Sequence, residues 1–165
     1  MKQLALDAID IKILAAVQKH GQLSKTKLAE VVNLSPTPCW ARLHKLKTAG
    51  YIRGYHADIA LDMLADVTQV VVTVSLRNHS KADFQRFEQF VAQQDPIIDC
   101  VTTGGGMDYV MRVCCRNLGE FQMLMDEMSA SELAVERYIT YIVTRQVKSI
   151  QPNLKQLLPS RSLLP

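Results

Sequence analysis

The 165-residue chain is 48% hydrophobic and carries a formal charge of +3, which is enough apolar material for one ordinary domain or two small ones. Its longest purely apolar runs, such as Val70–Val72, fall far short of the roughly twenty residues that cross a bilayer, and no charged, apolar and small-residue leader opens it. Four cysteines without a CxxC pair suit reduced thiols, so a cytoplasmic location with no membrane partner is expected. The charge is unevenly divided. Residues 1–60 hold nine Lys/Arg against four Asp/Glu, a net +5, while the remainder is −2.

In chain order, "LDAIDIKILAAVQKHG" offers Asp7 as an N-cap with Asp10 three residues on, and Leu6 and Ile11 spaced for a hydrophobic staple. Ile9, Ile13, Leu14 and Val17 form an apolar stripe that Gly21 ends. A second helix is predicted after Ser24, with Leu28, Val31 and Val32 turned inward and Lys25 and Lys27 on its first turn. Ser35 then caps a third helix whose first residue is Pro36, a position where the missing N–H costs nothing. At 100° per residue Cys39, Leu43 and Leu46 share one side, and Thr37, Ala41, His44, Lys45 and Thr48 share the other. Gly50 closes the helix, and "YIRGYHADIAL" supplies two β-prone runs around Gly54 for a two-stranded wing.

A short helix, a tight turn and a second helix with a polar face make a helix-turn-helix. Its small and hydrogen-bonding residues suit a major groove, and its cations suit phosphates. An ordinary solvated helix face would mix in acids, and none occurs between Val31 and Ala57. The residues expected to meet DNA are Lys25, Lys27, Ser35, Thr37, Trp40, Ala41, Arg42, His44, Lys45 and Arg53. Arg42 also sits at the edge of the buried stripe, where it can brace the domain through an acid such as Asp10. Trp40 lies on the opposite edge, placed either for a neighbouring helix or for a sugar-phosphate strand.

Residues 6–60, with "LDAIDIKIL", "LSPTPCWARLHKL" and "GYIRGYHADI", resemble the N-terminal domain of the Lrp/AsnC (leucine-responsive, feast/famine) family of transcription regulators. Ser35-Pro36-Thr37-Pro38-Cys39 is similar to that family's entry into the recognition helix, and Arg42 falls on its recurring basic position.

After the connector "LDMLADVT" the pattern reads strand, helix, strand, strand, helix, strand. Val70, Val72, Val74 and Leu76 alternate with Val71, Thr73, Ser75 and Arg77. Ser80 caps a helix carrying Phe84, Phe87 and Val91, "IIDCVTT" and "DYVMRVCC" are strands, and Asn117 with Glu120 starts a helix carrying Phe121, Leu124, Met125 and Met128. "YITYIVTRQV" is the last strand. The predicted fold is therefore α+β: a winged helix-turn-helix over 1–60, a linker over 61–67, a ferredoxin-like βαββαβ domain over 68–150 and a tail over 151–165. The second sheet face, assigned Val71, Met111, Val113 or their neighbours, is too apolar for water and predicts self-association.

"TTGGGMDYVMRV" has two readings. Gly104, Gly105 and Gly106 can expose N–H groups to a carboxylate while Asp108 takes an ammonium group, or the segment is a hairpin turn whose Asp108 caps a strand edge. The family resemblance extends over this domain, where it implies an effector-binding and dimerising module with a small-molecule pocket at Gly105, Asp108 and Tyr109. Met107 stands where the family commonly has an aromatic residue, and "SASELAVERY" lacks its Pro-Gly. The resemblance implies a dimer, or an octamer of dimers, binding double-stranded DNA under control of a small amino acid or related metabolite. A regulatory module docking on a protein is the alternative. No cofactor, metal site or catalytic constellation is expected: Cys39, His44 and His56 lack zinc-finger spacing, and Cys114 and Cys115 point to opposite sheet faces.

Overall fold

Asp7 accepts the Asp10 N–H at 2.8 Å and Asp10 accepts the Asp7 N–H at 3.2 Å; this reciprocal box starts α1, Ala8–His20, which ends at Gly21 with φ 71°. The left-handed φ at Gly21 is where a side chain would strain the turn. α2, Lys25–Val32, is capped by Ser24 accepting the Lys27 N–H, and ends at Asn33, also left-handed with φ 58°. α3 runs Pro36–Thr48. Ile13, Val17, Leu28, Ala29, Val32, Cys39, Leu43 and Leu46 pack into one core, and each fully buried aliphatic side chain contributes about 1.5–3 kcal/mol.

The computed structural model describes residues 5–157, which fall into two units: one holds the residues up to Ile59 with those from Lys148 on, the other is Ala60–Val147. The second unit opens with a 3₁₀ turn, Leu61–Met63, inside the expected linker. It continues through β1 (Thr68–Leu76), α4 (Lys81–Gln93), β2 (Ile97–Thr102), β3 (Tyr109–Cys115), α5 (Leu118–Ala130) and β4 (Val135–Ile142). The strands form one antiparallel sheet in the order β2-β3-β1-β4, the arrangement of a ferredoxin-like plait. Val70, Val72, Val74 and Leu76 are buried with Phe87 of α4 and Leu124, Met125 and Met128 of α5. The Phe87 and Tyr109 rings lie 4.5 Å apart.

Several local expectations are corrected. Residues 51–60 form no strand pair. Tyr51, Ile52 and Tyr55 instead pack on the helical core, and Lys47 Nζ sits 4.9 Å over the Tyr55 ring, so side chains rather than a ladder hold the wing segment. Val31 is 45% exposed, because it lies about 100° round the helix from the stripe made by Leu28, Ala29 and Val32. Ser35 stands at the N-cap position of α3 without making a side-chain cap bond.

Met111 and Val113 pair with Val72 and Val70 and are buried under the helices, since directly opposed residues share a face. The open face therefore carries Val101, Val110, Thr73 and Ile139 in one cross-strand row, with Val71 and Tyr141 in the next. Cys114 is on this side and Cys115 in the core, as the alternation required. β4 begins at Val135, three residues before the expected start, and ends at Ile142. The residues from Lys148 on group with the helical unit, where α6, Leu154–Leu157, packs against α1; the rest of the expected tail, 158–165, lies outside the described residues.

Candidate nucleic-acid interface and ligand site

The turn between α2 and α3 is closed by the Leu34 N–H donating to Ala29 O at 3.0 Å. That compact link fixes α3 against α2 and leaves its Thr37–Ala41–His44–Lys45 side uncovered. Of the residues expected to face DNA, Lys25, Lys27, Ser35, Thr37, Trp40, Ala41, His44, Lys45 and Arg53 are all exposed. Lys27 reaches Glu30 at 3.1 Å, a surface pair that salt screens readily.

Arg42 differs. Its Nη1 donates to Asp7 Oδ2 at 2.6 Å and to Asp10 Oδ1 at 2.8 Å, which is the brace anticipated for the edge of the stripe. The same two carboxylates form the N-terminal box of α1, so one guanidinium ties α3 to the start of α1. Burial pushes the Asp7 carboxyl up, but the Asp10 N–H and the hydrogen bond and charge of Arg42 outweigh it and hold it below the usual carboxylate range.

In the second unit, the Thr103 N–H donates to Asp108 O at 2.8 Å and Thr103 Oγ1 to Met107 O at 2.6 Å, which closes the glycine turn. Gly105 has φ 133°, and added β-carbons at Gly104, Gly105 and Gly106 would meet open space. Asp108 Oδ2 accepts the Leu76 N–H at 2.7 Å and Oδ1 lies 3.0 Å from His79 Nε2. Both oxygens are engaged, so Asp108 pins the turn to the end of β1, the strand-capping alternative. Tyr109 is in the core with its hydroxyl donating to Glu88 at 3.0 Å. Burial, then the Glu88 contact, pushes its phenol well above the ordinary range. Met107 is half-buried beside the turn.

The other edge of the same strand end carries a feature that sequence reasoning missed. A cleft of about 550 Å³ is lined by Arg77, Ser129, Ser131, Glu136, Arg137 and Tyr138 among others. It forms because the Arg77 N–H donates to Ala134 O at 2.7 Å and Ala134 takes φ 53°, which turns the chain from α5 into β4. The signal available was the Ala134 position itself, where the family's Pro-Gly is absent. Among the described residues, no three His, Cys, Asp or Glu side chains are grouped to hold a metal ion, and no helix is long and apolar enough to cross a membrane.

A helix-turn-helix with an acid-free cationic face, followed in the chain by an antiparallel α+β plait of the ferredoxin-like kind, defines the class: a DNA-binding regulator with a second, ligand-binding domain. Residues 6–53 match the winged helix-turn-helix DNA-binding family and residues 69–152 match the Lrp/AsnC ligand binding domain. The chain belongs to the Lrp/AsnC family of transcriptional regulators, which are not enzymes. It is 41% identical to the transcriptional regulatory protein DoeX of Halomonas elongata, over 88% of this chain and 92% of that one. It is 33% identical to the leucine-responsive regulatory protein of Haemophilus influenzae, over 87% of each. Among solved structures it is similar to the transcriptional regulator NMB0573 of Neisseria meningitidis, determined as a complex with L-methionine. The TM-score is 0.84 at 29% identity, covering 93% of this chain and 99% of that one.

Proposed function

We infer that the exposed side of α3 is the surface laid against duplex DNA, with Thr37, Ala41 and His44 at base edges and Lys25, Lys27, Lys45 and Arg53 on phosphates. Ser35 and Trp40 border the groove. The observation that carries this reading is the cluster of nine exposed residues around a stretch with no acid between Val31 and Ala57. Arg42 acts from behind, by holding α3 on α1.

The protein acts as a dimer joined through the open sheet face. Val101, Ile139 and Tyr141 there are 50%, 42% and 54% exposed, and the Thr73 hydroxyl at the centre is buried without a hydrogen-bond partner, so a second sheet would shelter the apolar row. Two recognition helices then meet half-sites about 34 Å apart or a multiple of it. A small amino acid or related metabolite binds at the end of β1, near the Gly105–Met107 turn that Asp108 pins, and favours one assembly only as far as it binds that assembly more tightly.

Fluorescence anisotropy with a selected target duplex and a random one tests the DNA surface. Affinity should fall with salt at a log–log slope near −0.9 per neutralised phosphate. Lys45→Ala should weaken both duplexes and flatten the slope by about 1, whereas His44→Ala should cost about 1–3 kcal/mol on the target alone. Equal losses on both duplexes for the two variants would refute the division of roles.

A further inference from the structure

We propose that His79 is a positioning residue of the effector site: its imidazole holds the Asp108 carboxylate in the orientation that receives the ammonium group of an α-amino acid. This rests on the reading that an amino acid binds near the glycine turn, and adds to it a residue from outside that turn, 29 positions earlier in the chain.

Asp108 is held from two sides. Its Oδ2 accepts the Leu76 N–H at 2.7 Å, and its Oδ1 lies 3.0 Å from His79 Nε2. A carboxylate only accepts, so Nε2 carries the proton of that bond. The two oxygens offer about four lone-pair sites, and the two bonds take one on each, so each oxygen keeps a site for an incoming donor. The Asp108 side chain is 17% exposed, and added β-carbons at Gly104, Gly105 and Gly106 would meet nothing within 4 Å, so the glycines of the adjoining turn add no bulk that bars an ammonium group. Without the His79 bond the carboxylate would hang from the Leu76 N–H alone, free to turn about its broad terminal torsion.

The imidazole is itself fixed. His79 stands immediately before Ser80, the N-cap of α4, and Phe84 is the fourth residue of that helix; these are the two positions that a hydrophobic staple joins. Their ring centroids lie 5.9 Å apart. Phe84 in turn lies 6.1 Å from the ring of Tyr109, the residue after Asp108. An apolar side chain would serve the staple better than an imidazole does, so helix entry alone does not account for a histidine here, whereas the bond to Asp108 does. Stability does not account for it either. The His79 side chain is 60% exposed, and exposed pairs of this kind contribute little. The role left to the pair is to orient the carboxylate.

The test is isothermal titration calorimetry on the full-length protein with L-leucine, L-methionine, L-alanine, L-glutamate and L-lysine, and with the 2-oxo acid of whichever binds best, which lacks the ammonium group. His79→Phe keeps a ring on Phe84 and removes the donor; His79→Gln restores an N–H donor without a ring. Both should fold and melt as the unaltered protein does by circular dichroism. Losing the partner that orients a ligating group costs about 10- to 100-fold at metal sites, and His79→Phe should weaken the best-binding amino acid by about ten-fold or more on the same scale. His79→Gln should recover most of that loss, and Asp108→Asn and the 2-oxo acid should each bind more weakly still. Unchanged affinity in His79→Phe, or a His79→Gln variant as weak as His79→Phe, overturns the positioning role while the amino-acid effector reading stands. Full affinity in Asp108→Asn, or a 2-oxo acid that binds as tightly as its amino acid, overturns the ammonium contact. Binding of none of the amino acids removes the effector reading and the role of His79 with it.

Discussion

Arg42→Ala separates bracing from DNA contact. The change deletes the 2.6 and 2.8 Å bonds to Asp7 and Asp10. The Asp10 side chain is only 7% exposed, so without its cation it is a buried carboxylate left with the Asp7 N–H, at a cost of about 2 kcal/mol. The Asp7 partner is half-exposed and screened, and adds about 0.5 kcal/mol. The expected loss is therefore about 2–3 kcal/mol from the helical unit. Trp40, the one tryptophan of the chain, lies on the same helix, so its fluorescence during urea unfolding follows this unit apart from the plait. With a urea slope of about 1–3 kcal/mol/M the midpoint should fall by about 1–2 M. Asp10→Ala in the same background should be coupled, with the double variant losing about 1–2 kcal/mol less than the two singles together. A stability change under about 0.5 kcal/mol, together with weaker binding to the target duplex, would refute the brace and place the guanidinium on DNA.

Ala134→Gly should stabilise the plait by about 0.5–1 kcal/mol, because φ 53° strains any residue with a β-carbon; a thermal-melt decrease would contradict the turn geometry. Ile139→Glu, in the middle of the open sheet face, should shift the protein to monomer in size-exclusion chromatography with light scattering, and an unchanged dimer would place the interface elsewhere. The Asp7 carboxyl is lowered below its ordinary value, in part by Arg42, so its contribution is present above the unfolded pKa of about 4 and is lost as pH falls through the folded value; the stability gap between the unaltered protein and Arg42→Ala, followed at Trp40 in urea, should therefore narrow as pH falls below about 4, and a gap that stays constant would refute the pairing. Tyr109 is raised, so the unfolded chain loses that proton first and stability declines as pH rises above about 10. Tyr109→Phe should reduce that alkaline decline in a denaturation series, while losing about 1 kcal/mol at neutral pH with the Glu88 bond.

Elements whose signals lie within a few residues of one another were readable from the chain alone. The Asp7–Asp10 box, the Ser24 and Ser80 caps, Pro36 at a helix start and the Val70–Leu76 alternation all act through neighbours along the backbone, and each element formed where those signals lay. The acid-free face of α3 was readable for the same reason, since helical periodicity turns spacing into a shared side. Features set by contacts between distant segments were not. Which sheet face receives the helices decided Met111 and Val113 against the open side, and both alternations look equally apolar along the strand. The 51–60 segment was β-prone by composition, yet docking of Tyr51, Ile52 and Tyr55 on the helical core took those residues instead of a ladder.

The candidate ligand site divides in the same way. The glycine turn announced itself by composition, but the use of both Asp108 oxygens depends on Leu76 and His79, about thirty residues earlier in the chain. Arg77 and Arg137 lie sixty residues apart in the numbering and meet at one cleft because β1 and β4 are neighbours in the sheet. Local backbone chemistry thus set the helices, the strands and the cationic recognition face. Tertiary packing chose the buried side of the sheet, the partner of Arg42 and the cleft at the end of β1, because each of those depends on which distant surfaces exclude water together.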